Sequence, residues 1–355
     1  MAELVDVESK IFTSLDFKLE SGKRLAELHL AYETYGTLNA NRDNGVLVVH
    51  GYTSSHHAAG VNARGKQGRG VTPGARGWGD ELIGPGKAVD TNRYFVVAVN
   101  ALGSAHGSSG PNTLDPATGK PYGPTFPDIT MRDVVASQKL LVDALGLKSL
   151  VAVIGPSMGG FQSFQWAACY PGFMKAIVPS VTAPRSSANN GERLEALRKR
   201  FAGDPNWNGG WYYDNGGIAG TLEEIRYETL MNYGLNEILA ETMPDPKARD
   251  AAIRANAKAW AQIYDGHSML VLRKAVGTID VTRQYAELKS AKVLYVNSKT
   301  DKLFDVAHSA VYANDMRKAG VDIAYVELPS KKGHMASNAD AALWAPILSA
   351  FLKAL

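Results

Sequence analysis

One serine in the chain stands among small residues in a pattern suited to nucleophilic catalysis. The stretch VIGPSMGGFQ, residues 153–162, contains GPSMG centred on Ser157, which fits G-x-S-x-G. This pattern places a serine on a sharp turn from a strand to a helix, and its glycines let neighbouring backbone approach without a Cβ clash. The flanking sequences SLVAVI and GFQSFQWAA are typical of a strand and a helix. Ser157 is therefore the candidate nucleophile, and a glycine-rich loop without chemistry is the alternative.

A nucleophilic serine needs a general base, and three histidines follow it in the chain. In enzymes with this elbow, an acidic residue and then the histidine come after the serine. His267 lies in a helical segment, and His308 lies in the helix between the last two strands that the sequence predicts. His334 lies in LPSKKGHMAS, the loop after the last predicted strand, at the sheet edge where such loops converge. We therefore expect His334 to be the base.

The acid that orients the base should follow the preceding strand. The sequence KVLYVNSKTDKLFD offers Asp301, just past that strand, and Asp305, which is close enough to the next helix to cap it. We choose Asp301 and keep Asp305 as the alternative.

The oxyanion that forms during attack needs donors that already point at it. The residue after the nucleophile supplies one backbone N–H, here Met158, and the loop after an earlier strand, HGYTSSHHAAG, supplies the other, here Tyr52. That loop also contains His50, His56 and His57. No cysteine or carboxylate cluster with ligand spacing accompanies them, so we expect no metal site and assign them to shaping the loop.

The elements around these residues follow from apolar runs that are continuous rather than alternating. Such runs indicate strands covered on both faces, as in a parallel sheet. They occupy residues 45–51, 94–103, 149–160, 176–181, 291–301 and 321–330. Helical patterns lie between them at residues 128–147, 160–171 and 306–320. This alternation predicts an α/β fold with a mostly parallel central sheet flanked by helices.

The alternation stops in residues 185–288, which carry helical patterns and no comparable strand run. We expect this segment to be a helical cap over the sheet's carboxyl edge, with the core formed by residues 1–184 and 289–355. Near the N-terminus, a period-two pattern around the sequence SGK predicts an antiparallel hairpin.

Composition limits the partners and the location. The net charge is only +3, from 38 basic and 35 acidic residues, which gives no reason to expect nucleic acid as a partner. No signal-peptide pattern begins the chain, and no apolar run reaches the length of a membrane span. Cys169 is the single cysteine, so no intrachain disulfide can form. We expect a cytoplasmic protein without membrane partners.

In its longer motifs, the chain resembles the homoserine O-acetyltransferase family of the α/β-hydrolase fold. The resemblance extends through most of the chain. The motifs are LAYETYGTLNANRDNGVLVVHG, VVAVNALGSAHGSSGP, FPDITMRDVVASQKLLVDALGL, GPSMGGFQSFQWAACYP, DPNWNGGWYY, TDKLF and the GH near the C-terminus. The resemblance implies the same triad: Ser157, Asp301 and His334. It also implies a double displacement, in which the serine takes an acyl group from an acyl-CoA and homoserine's hydroxyl removes it, without a further cofactor. A homodimer is implied in the same way.

The sequence departs from the family at positions that bind the acceptor. Members usually carry an aspartate after the catalytic histidine for the acceptor's amino group, and this chain has Met335. A thioether cannot pair with an ammonium, and an unpaired buried charge is costly. Arg226 is the candidate for the family's cap arginine, which binds the acceptor's carboxylate. Tyr52 and the cap residue Trp211 are further candidate substrate contacts, although packing of the cap explains an aromatic residue such as Trp211 equally well.

Three functions are compatible with these residues. Hydrolysis of a small ester or related acyl compound uses water as the second nucleophile, and we place it first because amino-group recognition is lost. Transfer of an acetyl group from acetyl-CoA to homoserine or another hydroxyl acceptor is the alternative that the family resemblance favours. A non-catalytic binding protein is the third, and the presence of all three triad residues argues against it.

Overall fold

The computed structural model describes residues 3–5, 7–61 and 74–355. Ten strands are described: β1 (Lys10–Lys18), β2 (Arg24–Tyr35), β3 (Gly45–Val49), β4 (Ile83–Gly84), β5 (Val89–Asp90), β6 (Phe95–Val99), β7 (Leu150–Pro156), β8 (Met174–Ser180), β9 (Lys292–Ser298) and β10 (Ile323–Leu328). The main sheet has the strand order β1-β2-β6-β3-β7-β8-β9-β10, and β4 pairs with β5 in a separate ladder. The hairpin β1–β2 and the pair β2–β6 are antiparallel, whereas the other neighbours in the main sheet are parallel. The mostly parallel sheet predicted from the sequence is confirmed.

Eleven α-helices are described: α1 (Met131–Ala144), α2 (Met158–Cys169), α3 (Asn190–Ala202), α4 (Ala219–Tyr233), α5 (Leu235–Ala240), α6 (Pro246–Ala261), α7 (Gly266–Val276), α8 (Tyr285–Leu288), α9 (Val306–Lys318), α10 (Ala336–Ala339) and α11 (Ala345–Lys353). None of the helices in the described part of the chain combines the length and the apolar character needed to cross a membrane.

The two faces of the main sheet are buried in separate apolar clusters. On one face, Leu141 of α1 and Trp166 of α2 pack with side chains of the central strands. On the other face, Trp344 and Leu348, at and inside the start of α11, pack with Val48 of β3 and neighbours from adjoining strands. Burial on both faces explains why these strands are continuous apolar runs, since neither set of alternating side chains meets water.

Residues 185–288 lie between β8 and β9 and contain helices α3 to α8 without a strand of the main sheet. This helical insertion has its own apolar cluster, in which Phe201 and Leu222 are buried with Trp260 and Tyr264. Its aromatic residues largely pack on one another, as with the stacked rings of Trp260 and Tyr264, 4.2 Å apart between centroids. The division into a core and a cap domain at residues 184/185 and 288/289 stays a prediction.

Candidate active site

Ser157 occupies a strained turn between β7 and α2. Its backbone angles are φ 55° and ψ −116°, which a residue with a side chain rarely adopts. The surrounding glycines are required by contact with β3: a Cβ on Gly155 would lie 2.6 Å from the carbonyl oxygen of Val49, and one on Gly159 would lie 2.2 Å from the same atom. Larger residues would push the strand and the helix apart. The turn therefore holds the serine side chain at the carboxyl end of the sheet, at the mouth of a cavity.

His334 and Asp301 form a buried hydrogen-bonded pair. His334 lies in the short 3₁₀ turn Gly333–Met335 after β10, and its Nδ1 donates to Asp301 Oδ2 at 2.8 Å. The other carboxylate oxygen of Asp301 accepts from the N–H of Leu303 at 2.8 Å, which fixes the carboxylate. With its proton on Nδ1, the imidazole has a free lone pair on Nε2, as a general base requires.

The alternatives to these two residues lie elsewhere. Asp305 caps α9 by accepting from the N–H of Ala307 at 2.7 Å. His267 is buried in the helical insertion and donates from Nε2 to the carbonyl of Gly210, and His308 is exposed on α9.

Ser157 and His334 line one cavity of about 210 Å³. The ring of Tyr233 packs on the His334 ring at 4.6 Å between centroids, and Phe304 stacks on it at 5.7 Å. Among the described residues, the hydrogen bond of the His334 ring is the one to Asp301, and none joins the ring to Ser157 Oγ. Bonds between a nucleophile and its base are often long until substrate binds, so this geometry is compatible with the pair acting together.

Tyr52 and Met158, whose N–H groups are the expected oxyanion donors, line a cavity together with Ser157. Gly51, just before Tyr52, is so close that a Cβ built on it would lie 3.8 Å from Ser157 Cβ. Neither N–H donates to a backbone acceptor outside regular helices and strands among the residues that the structure describes. Two free donors beside a nucleophile are the arrangement needed to stabilise an oxyanion.

A second cleft of about 510 Å³ also reaches Ser157 and is strongly basic. Arg193, Arg200, Arg273 and Lys302 line it, and its described lining contains no acidic side chain. Arg200 is paired with Glu228 at 2.8 Å. Arg273 lies over the ring of Tyr52, 4.8 Å from its centroid. The cleft therefore suits an anionic part of a substrate.

Arg226 enters the smaller cavity from α4. Its Nη1 donates to Thr53 Oγ1 at 2.8 Å, and its guanidinium lies 5.1 Å from the centre of the Trp260 ring. Burial lowers the pKa of this arginine, and no carboxylate pairs with it in the described chain. Met335 lines the same cavity, whose described lining also lacks an acidic residue.

Trp211 does not fit the substrate contact expected from the sequence. Its side chain is 44% exposed and packs near Gly123, a residue that is not part of the insertion. It therefore lines neither cavity that reaches Ser157. Tyr52 lines both cavities, and burial raises its pKa to about 12. Tyr233 and Arg273 are lining residues that the sequence did not single out. They lie on α4 and α7 of the helical insertion, where no sequence motif marks them.

Comparisons with known proteins identify similar sequences and similar folds. The family model described as alpha/beta hydrolase fold matches residues 45–337. A homoserine O-acetyltransferase from Solidesulfovibrio magneticus is 36% identical, over 92% of this chain and 88% of its own length. The crystal structure of esterase E22 superposes with a TM-score of 0.86 at 30% identity, covering 98% of this chain and all of that one. The homoserine O-acetyltransferase from Bacillus anthracis superposes with a TM-score of 0.85 at 28% identity, covering 98% and 97%.

These similarities extend over nearly the whole chain, and the range matched by the family model contains Ser157, Asp301 and His334. The chain belongs to the homoserine O-acetyltransferase-like family of the α/β-hydrolase fold.

Proposed function

We propose that the chain catalyses acyl transfer through an acyl-enzyme on Ser157. The observation that carries the proposal is the 2.8 Å hydrogen bond from His334 Nδ1 to Asp301, in a cavity that Ser157 also lines. His334 Nε2 takes the proton of Ser157 Oγ as this oxygen attacks the acyl carbonyl, and the N–H groups of Tyr52 and Met158 stabilise the oxyanion. The intermediate collapses, and His334 returns the proton to the leaving group.

The acyl-enzyme then meets a second nucleophile, which His334 deprotonates in the same way. We place O-acyl transfer from an acyl-CoA to a hydroxyl acceptor first. The 36%-identical relative is a homoserine O-acetyltransferase, and this supports transfer better than the hydrolysis that the sequence alone placed first. The basic cleft beside Ser157 supports an acyl-CoA donor as well, because the phosphates of coenzyme A are anionic and Arg193, Arg273 and Lys302 offer them cations.

Hydrolysis of a small ester is the second candidate. The observation in its favour is the smaller cavity, where Met335 and the other described lining residues provide no carboxylate for the ammonium of homoserine. Leaving an ammonium unpaired in such a cavity costs several kcal/mol. Water as the second nucleophile needs no such partner, and the similarity in fold to esterase E22 is compatible with this outcome.

One experiment separates the two candidates. The protein is incubated with acetyl-CoA, with and without homoserine, and separately with short aryl esters, while free thiol and released phenol are followed. Thiol release that depends on homoserine supports transfer and contradicts hydrolysis as the main reaction. Ester turnover without any acceptor effect supports hydrolysis. Turnover that persists unchanged in Ser157→Ala contradicts both.

A further inference from the structure

We propose that two buried side chains outside the triad, His50 and Thr182, are positioning residues that orient the two peptide groups of the oxyanion hole. The inference rests on the proposed function, because it needs the N–H groups of Tyr52 and Met158 to face the oxyanion. A peptide unit is planar, so a hydrogen bond to its carbonyl oxygen also fixes the direction of its N–H. Each of the two carbonyl oxygens accepts such a bond from a buried side chain. Each also accepts a backbone turn bond, from the N–H of Ser54 to Gly51 at 3.1 Å and from the N–H of Gly160 to Ser157 at 2.9 Å, and the side chain adds a second fixed contact.

The first peptide unit joins Gly51 to Tyr52, and His50 holds it. His50 Nδ1 lies 2.7 Å from the carbonyl oxygen of Gly51, and His50 Nε2 accepts from the N–H of Ala101 at 2.9 Å. Since a backbone N–H can only donate and a carbonyl can only accept, the imidazole must be neutral with its proton on Nδ1. Burial lowers the pKa of His50 to about 4, in agreement with a neutral ring.

The second peptide unit joins Ser157 to Met158, and Thr182 holds it. Thr182 Oγ1 donates to the carbonyl oxygen of Ser157 at 2.8 Å. Thr182 is itself fixed, because its N–H donates to Asn297 Oδ1 at 2.9 Å and its carbonyl accepts from the hydroxyl of Tyr295 at 2.7 Å. The hydroxyl therefore reaches the Ser157 carbonyl from a fully buried residue just after the end of β8.

A third side chain, that of Gln162, connects the two segments that carry the expected oxyanion donors. Gln162 Nε2 lies 3.2 Å from the carbonyl of His50 and 3.3 Å from the carbonyl of Met158, so it bridges β3 to the first turn of α2. None of these three residues lines a cavity that reaches Ser157. They act on the donors and not on the substrate. Donors that are already aimed need no reorganisation as charge develops, and a hydrogen bond to the carbonyl strengthens its own N–H as a donor.

The competing explanation is that His50 only ties β3 to the loop after β6. Two substitutions separate these roles. In His50→Asn, the side-chain amide reaches the position of Nδ1 and keeps the donor to Gly51. In His50→Gln, it reaches the position of Nε2 and keeps the acceptor for Ala101. Thr182→Ser and Thr182→Val form the matched pair at the other peptide unit, since only serine keeps the hydroxyl.

The measurements are kcat and KM with a short aryl ester, the affinity for a boronic acid that adds to Ser157, and the thermal midpoint. We expect His50→Gln and Thr182→Val to lower kcat and boronate affinity about tenfold or more, short of the 10²–10³ lost when an oxyanion donor is removed, with KM nearly unchanged. His50→Asn and Thr182→Ser should stay within about threefold of the wild type.

Equal losses within each pair, or losses that follow the thermal midpoint, would overturn the inference. If His50→Gln does not fold, the Thr182 pair decides on its own. Activity retained in Ser157→Ala would instead show that the proposed function is wrong. If Ser157→Ala is inactive but the two variants of each pair lose activity equally, the acyl-enzyme proposal is still supported and only the positioning role of His50 and Thr182 is wrong.

Discussion

Arg226 and Met335 line the same cavity beside Ser157. One is a half-buried cation without a carboxylate partner in the described chain, and the other is a thioether. A ligand of this cavity is therefore offered a partner for a negative group and none for an ammonium.

Met335→Asp should change the preference for the acceptor. The new carboxylate would lie beside His334 and could pair with the amino group of homoserine, at a net gain of the order of 1.5–3 kcal/mol for a charged hydrogen bond. We expect homoserine-dependent release of thiol from acetyl-CoA to rise about tenfold or more in kcat/KM. Met335→Asn is the control, because it has the same shape without the charge. A wild type that already uses homoserine as well as Met335→Asp does would contradict this account of the cavity.

Arg226→Gln should weaken binding of carboxylated substrates selectively. The change removes the charge but keeps a donor for Thr53. We expect KM for an ester or acceptor with a carboxylate to rise about tenfold, while kcat/KM for a neutral aryl ester stays within about threefold. Arg254→Gln, an exposed position on α6, is the matched control. Equal effects on the charged and neutral substrates would mean that Arg226 supports the fold of the cavity and does not bind a carboxylate.

Asp301 and Asp305 allow a direct comparison of an orienting acid with a helix cap. Asp301→Asn reverses the bond to His334 Nδ1 and favours the wrong tautomer, so kcat should fall by roughly 10³–10⁴ with little change in stability. Asp305→Asn keeps an N-cap residue on α9 and should leave kcat unchanged, whereas Asp305→Ala should cost about 1 kcal/mol of unfolding free energy. Steady-state kinetics and urea unfolding measure both effects. A larger loss of kcat at position 305 would reverse the assignment.

Three of the buried histidines, His50, His56 and His106, should make the protein sensitive to mild acid. Burial lowers the pKa of His50 to about 4 and that of His106 to about 3, and lowers that of His56 well below its usual range. In the unfolded chain each histidine binds a proton below about pH 6.5. Their contribution to stability is therefore complete above pH 6.5 and is lost as the pH falls toward the folded-state values.

These three histidines contribute at most roughly 4 kcal/mol per pH unit to the slope of the unfolding free energy, one proton for each histidine. Urea unfolding between pH 7 and pH 5 measures the slope, and His106→Asn should reduce it by up to about 1.4 kcal/mol per pH unit. A stability that is flat from pH 7 to 5 would contradict neutral burial of these rings.

The sequence was sufficient to predict the mostly parallel main sheet and the order of the candidate nucleophile, acid and base along the chain. Strands such as β3 and β7 are buried on both faces, so their apolar runs are continuous and could be recognised. The pairing of Asp301 with His334 could be expected because both follow neighbouring strands, and β9 and β10 are parallel neighbours. The short pair β4–β5 was missed, since two residues carry no periodic signal.

The residues that line the cavities could not be predicted from the sequence. Tyr233 and Arg273 lie on α4 and α7, and their approach to the serine depends on how the helical insertion packs, which no local pattern records. Trp211 was predicted to contact the substrate but is exposed, because the sequence of a helical segment does not show whether an aromatic residue faces a pocket or the surface. The supports of the oxyanion hole were missed too: sequence assigned His50 only to loop shaping, and Thr182 reaches a backbone carbonyl 25 positions away.

Rapid mixing of the protein with acetyl-CoA or an activated acetyl ester, followed by acid quench and intact mass measurement, tests the central claim most directly. The account predicts that one acetyl group is added per chain before steady state, that peptide mapping places it on Ser157, and that Ser157→Ala carries none. In His334→Ala the label should form at least about 10³ times more slowly. Turnover without any covalent label, or a label on another residue that persists in Ser157→Ala, would contradict the acyl-enzyme on Ser157.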